Sequence, residues 1–309
     1  MVIRVDSGLV VQQLSGRSAR SFVLSDVDPG ASVVRHLVPD EDARRRLGEQ
    51  GFVVKPSRVA WMVDIGVDDE EFLAGFSARH RREIRRTQRL FGKSGFELQV
   101  DSFSAGAVSD SFVELYHQTI ASRSLGIDAL SGSLRSLYAD PTATVIRAVR
   151  PNGEVGGYCV VRAIAGTDIL RLCYSAVEPK ARRFEMSRNL YIEAFRLARR
   201  SGLERATLGA DPNLYGHIVD TGLLRFKASL GARPVPAGSV DPVDLGDEAE
   251  LIVAQGVLAD PTVTFAYAAD GGTQLVPIVF TSNALSVAEF STSVGPIEVR
   301  RWGVSAPRA

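Results

Sequence analysis

Short apolar runs alternate with polar positions through the first 65 residues, at Val2–Val5, Leu9–Gln12, Phe22–Leu24, Phe52–Val54 and Val59–Ile65. Successive side chains of a strand face opposite sides, so these runs predict β-strands. Asp-Pro-Gly at 28–30 interrupts them, and the charged stretch Asp40–Glu49 reads as a helix. From Asp68 to Gly92 the spacing becomes helical, with Phe72, Phe76, Ile84 and Leu90 as apolar members and arginines between them. A strand at Phe96–Val100 follows. In the next helix, Ala107–Ser124, Phe112, Leu115, Tyr116 and Thr119 fall at i, i+3, i+4 and i+7 and form one stripe. Leu134–Tyr138 reads as a further short helix.

The period then shifts to two. Thr144–Val149, Gly156–Ala163 and Ile169–Ala176 are joined by Pro-Asn-Gly at 151–153 and Ala-Gly-Thr-Asp at 165–168, which predicts an antiparallel three-strand meander. A basic connector, Glu178–Arg183, leads into one long helix, about Met186 to Ser201, with Leu190, Ala194, Leu197 and Ala198 on one face and Gly202 where a C-terminal cap belongs. Arg205–Gly209 returns as a strand, and a right-handed crossover makes it parallel to Ile169–Ala176. Beyond Pro236 the chain is rich in Asp, Pro, Gly and Glu to about residue 250, then β-rich at Thr262–Ala268, Gln274–Phe280, Ala284–Phe290 and Ile297–Trp302.

At 309 residues and 45% hydrophobic content the chain can bury a full core and is long enough for two domains. Its 36 basic residues balance 36 acidic ones, so affinity for a polyanion must come from a local cluster. Such a cluster stands at residues 79–93. The first twenty residues lack the apolar core of a signal peptide, and no run of about 18 apolar residues occurs, so a cytoplasmic protein without a membrane span is expected. Cys159 and Cys173 sit in apolar strand-like runs without CxxC spacing, which predicts buried free thiols and no metal site.

Three strands, a basic connector, a helix and a parallel strand ending in a splay is the order of the GNAT acyltransferase fold, and the motifs resemble its Fem-like and cellulose-biosynthesis-type branch. Ser77-Ala-Arg-His-Arg-Arg-Glu-Ile-Arg-Arg86 resembles the serine-plus-arginine helix start of that branch, and Phe112 to Arg123 its next helix. Leu208-Gly209 and Phe226-Lys227-x-x-Leu-Gly231-Ala232 resemble its strand-end glycine and its phenylalanine-lysine element. The similarity spans roughly residues 60–236. It implies transfer of acyl or aminoacyl groups to amines from coenzyme A, aminoacyl-tRNA or carrier-protein thioesters. One departure bears on the donor: the pyrophosphate loop of GNAT proteins is glycine-rich, because glycines let backbone amides approach a diphosphate. Here the equivalent residues are Arg182-Arg-Phe-Glu-Met-Ser187, without glycine, which disfavours ordinary acetyl-CoA use.

Acyl transfer to an amine needs a neutral nucleophile, stabilisation of a tetrahedral oxyanion and a proton source for the leaving group. The resemblance places Lys227 at the substrate site as the oxyanion's cation, with Phe226 beside it; the alternative is a surface lysine on an amphipathic helix. Asp211, Asn213, Tyr215 and His217 follow a strand end and are candidates to reach substrate, Asp211 or His217 as base. Against that, Asp-Pro and Tyr-Gly are ordinary turn residues. Tyr174 is a candidate donor to the leaving group, its alternative a core tyrosine with a satisfied hydroxyl. Arg182, Arg183, Ser187, Arg188 and Asn189 stand at a helix N-terminus, where the macrodipole repels cations unless an anion binds, so they are assigned to the donor. Arg79, Arg82 and Arg86, within the cluster that also holds Arg81, Arg85, Arg89 and Lys93, are assigned to a phosphate-bearing partner; the alternative is a solvated helix face.

The expected protein is α+β with a GNAT fold, read as a tandem whose N-terminal half, residues 1–139, is reduced. The acyltransferase core would span 140–236 and a β-rich extension 237–309. The expected activity is N-acyl or aminoacyl transfer from a thioester donor, CoA or a phosphopantetheine carrier, to a small-molecule amine, with no tightly bound cofactor. The alternatives are an aminoacyl-tRNA-dependent Fem-like transferase, with tRNA in place of a carrier protein as partner, and a non-catalytic GNAT-fold binding module.

Overall fold

The computed structural model describes residues 2–6, 9–14, 22–38, 40–122, 128–213, 221–242, 246–254, 261–268, 273–282 and 297–301. In chain order the strands are β1 (Val2–Asp6), β2 (Leu9–Leu14), β3 (Val33–Val38), β4 (Val53–Pro56), β5 (Arg58–Asp64), β6 (Glu97–Ser102), β7 (Thr144–Val149), β8 (Val155–Ala163), β9 (Ile169–Val177), β10 (Arg205–Pro212), β11 (Arg233–Pro236), β12 (Asp247–Ile252), β13 (Thr262–Tyr267), β14 (Leu275–Thr281) and β15 (Glu298–Arg301). The helices are α1 (Glu41–Glu49), α2 (Asp69–Ala74), α3 (Ala78–Gly92), α4 (Ala107–Ala121), α5 (Leu134–Ala139), α6 (Met186–Arg200) and α7 (Thr221–Ala228). Among the described residues no helix is long and apolar enough to cross a membrane.

The chain divides into two compact units, the first comprising Met1–Trp61, Ala210–Ala228 and Arg233–Ala309, the second Met62–Gly209 and Ser229–Ala232. In the second unit β10, β9, β8, β7 and β6 lie side by side in that order. β6 to β9 form an antiparallel meander, and β10 joins β9 in parallel. This is the strand–strand–strand–helix–parallel strand order expected of a GNAT core. The α4 stripe Phe112, Leu115 and Tyr116 packs with Tyr158 and Val160 of β8 in one core. Gly157, on the other face of β8, faces Leu190 of α6, and a side chain there would meet Leu190 at 3.2 Å. The parallel pairing of β10 with β9 covers only Arg205 to Thr207, and Gly209, at φ 83°, turns the strand beyond it. That is the splay. The trailing Gly231 also has a physical reason: φ is 78°, and a Cβ would lie 2.7 Å from Phe76.

In the first unit, strands run in the order β1-β2-β3-β12-β4, with β13-β14-β15 as a separate sheet. β12 lies within the stretch expected to be polar connection, and it is hydrogen bonded between β3 and β4, which come from the N-terminal stretch. It escapes an alternation search because buried carboxylates stand where apolar residues would. Glu250 is fully buried and meets Arg35 of β3 and Lys55 of β4 at 2.5 and 3.0 Å. β3 is hidden by the same Arg35. The expected boundaries at 139 and 236 are therefore not those of the two units.

Two further expectations are corrected. Phe22–Leu24 is not a strand; the chain turns through a short 3-10 segment at Leu24–Asp26, tied down by Gln12, whose amide donates to the Asp26 carbonyl and accepts from the Asp28 N–H. The helical stretch 68–92 is two helices, because Ser77 leaves the helical backbone and caps α3 through its hydroxyl to the His80 N–H. Ala284–Phe290 and Trp302 lie outside the described residues.

Candidate active site

In the first unit the end of β10 carries Asp211, β5 carries Trp61, and Lys227 sits in the last turn of α7. The helix buries Leu224, Lys227 and Ala228 on one face and exposes Gly222 and Arg225. Lys227 therefore occupies a core position, 5% exposed, and the surface-lysine alternative fails. Its Nζ donates to Asp211 Oδ2 at 2.5 Å and lies 5.3 Å from the centre of the Trp61 ring. The Trp61 indole N–H donates to the same Oδ2 at 2.8 Å. Asp211 Oδ1 makes no hydrogen bond with the described residues. Burial holds the Lys227 pKa below its ordinary value, and the Asp211 carboxylate opposes that shift without cancelling it.

The two side chains singled out at Asp211 and Lys227, sixteen residues apart in sequence, thus form one buried pair. Trp61 was missed. Its signal was present, since a tryptophan inside an apolar strand carries an N–H that must find an acceptor. Its ring packs edge-on against Phe265 at 5.3 Å, which fixes the direction of that N–H.

Other candidates go elsewhere. Asn213 is fully buried and holds backbone in place: its amide donates to the carbonyls of Pro56 and Phe265, and its oxygen accepts from Thr264 and the Phe265 N–H. It has no group left for substrate, so the assignment of Asn213 to an acceptor loop is corrected. Phe226 is half-buried on α7, while Tyr215 and His217 lie outside the described residues. In the second unit Tyr174 donates to the Ala129 carbonyl at 3.1 Å and packs on Tyr116, and burial raises its pKa; this is the satisfied tyrosine, not a proton donor.

At the start of α6 the expected anion site is only partly present. Arg188 turns away from the helix end, donating to Ser229 and Thr87 and lying 3.3 and 3.5 Å from Glu185 and Glu83. Asn189 is buried and donates to the Glu185 carbonyl. Both hold α6 to its surroundings, which corrects their assignment to the donor. Arg182 and Arg183 are exposed and Ser187 is half-buried. Glu185 takes the left-handed backbone, φ 56°, that a glycine would adopt without strain, at a cost of about 1 kcal/mol. A cleft of about 480 Å³ opens beside this connector, lined by Glu114, Glu154, Glu178, Tyr158 and Lys180 among others. Its three carboxylates against one lysine make it a poor seat for a diphosphate. Cys159 and Cys173 are free thiols, and burial pushes both pKa values up, that of Cys173 to about 11.

No protein-family profile and no curated protein matches the chain. Among solved structures, FemX is similar over 78% of this chain and 76% of its own, at 16% identity and a TM-score of 0.47. L-PGS from Bacillus licheniformis is similar over 70% and 67%, at 14% identity and 0.45. A tandem GNAT protein from the clavulanic acid biosynthesis pathway is similar over 72% and 64%, at 12% and 0.40.

Proposed function

We propose that the protein is an N-acyltransferase that moves an acyl or aminoacyl group from a thioester to an amine. The observation that carries this reading is the buried Lys227–Asp211 pair, whose functional groups are incompletely used among the described residues. One Asp211 oxygen is engaged by Lys227 and Trp61, and the other accepts no hydrogen bond from a described residue, which suits it to receive a proton. Protonated Lys227 has N–H groups beyond the one given to Asp211, and these suit an oxyanion in a site shielded from water, where such a contact contributes several kcal/mol.

In the proposed reaction the acceptor arrives as an ammonium and loses a proton to Asp211 Oδ1. The neutral nitrogen attacks the thioester carbonyl carbon, and the carbonyl oxygen gains negative charge opposite Lys227. The C–S bond then breaks and the leaving thiolate takes the proton held on Asp211; the second proton that the attacking nitrogen sheds passes to the vacated carboxylate and from there to solvent. The amide is the product, and no oxidant or reductant is required.

The test offers purified protein acetyl-CoA, an acyl-phosphopantetheine thioester and a panel of primary amines, and follows the amines by intact mass. Product from at least one pair is expected, together with its loss in Lys227→Ala and Asp211→Asn variants whose circular dichroism is unchanged. Full activity in Lys227→Ala would sink the assignment.

A further inference from the structure

On α3 the arginines Arg79, Arg82 and Arg86 are exposed, as either reading of that helix requires. The contacts that single out a further role lie in the first unit, around Asn213. This residue is fully buried, two positions beyond Asp211, and every hydrogen-bonding group it has is engaged. Its side-chain amide donates to the Pro56 carbonyl at 2.9 Å and to the Phe265 carbonyl at 2.7 Å. Its side-chain oxygen accepts from the Thr264 hydroxyl at 2.8 Å and from the Phe265 N–H at 3.0 Å. Its backbone N–H donates to the Ser57 carbonyl at 2.9 Å, and its backbone carbonyl accepts from Lys55. A primary amide has two donors and two acceptor lone pairs, so the side chain is saturated.

These bonds reach both ends of the contact that defines the candidate site. Only Pro212 separates Asp211 from the clamped Asn213, and its ring locks φ near about −65°, which leaves little freedom between them. Phe265 is gripped through its N–H and its carbonyl, so its ring has a fixed origin. That ring meets Trp61 edge-on, with centres 5.3 Å apart and planes at 89°. The Trp61 N–H then donates to Asp211 Oδ2 at 2.8 Å. The acceptor is tied to Asn213 through the chain and the donor through Phe265, so one amide is the common reference for both. A residue needed only to fill space would be apolar, because buried polar groups repay their desolvation only when each finds a partner. An aspartate would not serve, since its carboxylate would face the Pro56 and Phe265 carbonyls with no proton to give.

We propose that Asn213 is the positioning residue of the Lys227–Asp211 pair, setting the angle at which Trp61 holds the Asp211 carboxylate and so the direction of its second oxygen. Asn213 touches neither reacting group and acts through Asp211 and Trp61. Its effect on rate rests on the transferase reading, whereas its effect on Trp61 does not.

The probe is the Trp61 indole N–H in protein labelled with nitrogen-15. The chain has two tryptophans, and the Trp61 resonance is the one lost in Trp61→Phe. Bonded to a buried carboxylate, it should lie downfield and exchange slowly with solvent. In Asn213→Ala it should move upfield and exchange faster by about tenfold or more, the loss expected for a hydrogen bond to a charged acceptor. Thr264→Val removes one donor to Asn213 and keeps the side-chain shape, so the resonance should move part of the way. Thr264→Ser keeps the hydroxyl and should leave it in place. Val34→Ala, which truncates a fully buried side chain in the cluster around Leu47, controls for general loosening and should also leave it in place. In acyl transfer, Asn213→Ala should lower kcat about 10²-fold with KM changed much less, as for a misplaced reacting group. If Asn213→Ala does not fold, the two Thr264 variants decide. The proposal is overturned if Thr264→Val and any folded Asn213→Ala leave the resonance in place, if Thr264→Ser or Val34→Ala moves it as far as Thr264→Val, or if an active wild type keeps full kcat in Asn213→Ala. A wild type with the downfield resonance but no acyl transfer would remove the transferase reading and leave the positioning of Asp211 to the resonance alone.

Discussion

Two lysines are buried in the first unit, and their surroundings differ in kind. Lys55, fully buried, lies 3.0 Å from Glu250 and 3.7 Å from Glu248, donates to the Asn213 carbonyl, and shares its carboxylates with Arg35. Among the described residues Lys227 has one carboxylate, that of Asp211, and only one oxygen of that carboxylate is hydrogen bonded. A cation surrounded by more than one anion and a carbonyl is committed to structure, because any other use would strand its partners in a low dielectric. A cation with a single partner, held below its ordinary pKa by burial, retains donors and can exchange a proton. Burial of a charge is common to both; the count of described partners differs, and the proposed reaction rests on that difference.

The sharpest way to break that contrast is to remove each lysine in turn. Lys55→Met leaves Glu248 and Glu250 with too little positive charge and should cost about 3–5 kcal/mol in urea unfolding, enough to lose soluble protein. Lys227→Ala should lower the rate of acyl transfer by about 10²–10³, equivalent to 2.7–4 kcal/mol, while the urea midpoint moves much less than for Lys55→Met. Equal loss of stability in the two variants would make Lys227 another strut.

Trp61→Phe keeps most of the ring packing and deletes the N–H to Asp211 Oδ2. A hydrogen bond to a charged acceptor contributes about 1.5–3 kcal/mol, and its loss should appear as a shifted pH-rate profile with folding largely retained. An unmoved profile would mean that Trp61 only packs.

The smallest effect is on stability against pH. Lys227 is depressed from 10.5 in the folded protein, so over the window between its lowered value and 10.5 the unfolded chain holds a proton that the folded one has released. Folding stability from this group therefore rises as pH rises through that window, by at most about 1.4 kcal/mol per pH unit. Lys227→Met should flatten this rise in urea titrations, and an identical rise in both proteins would assign it to other groups.

Much of the second unit was legible from residue order. The α4 stripe, the Pro-Asn-Gly turn, Gly202 and the glycines at 209 and 231 are local signals whose meaning depends on near neighbours in the chain, and each reappears in the expected element. The first unit was less legible, because β3 and β12 are strands whose buried positions hold Arg35, Glu248 and Glu250. Such charges look like surface until their partners, distant in sequence as Arg35 is from Glu250, are in place.

The candidate site follows the same rule. Residue order alone placed Lys227 in a phenylalanine-lysine element, put Asp211 just past a strand, and showed that cations repeat along residues 79–93. Tertiary structure decided that Lys227 is buried, that its carboxylate is Asp211 with Trp61 on the same oxygen, and that Arg188 and Asn189 hold the fold together. The reason is range. Periodicity, caps and turns are set within a few residues, whereas desolvation and ion pairing depend on groups that meet only once the chain has closed upon itself.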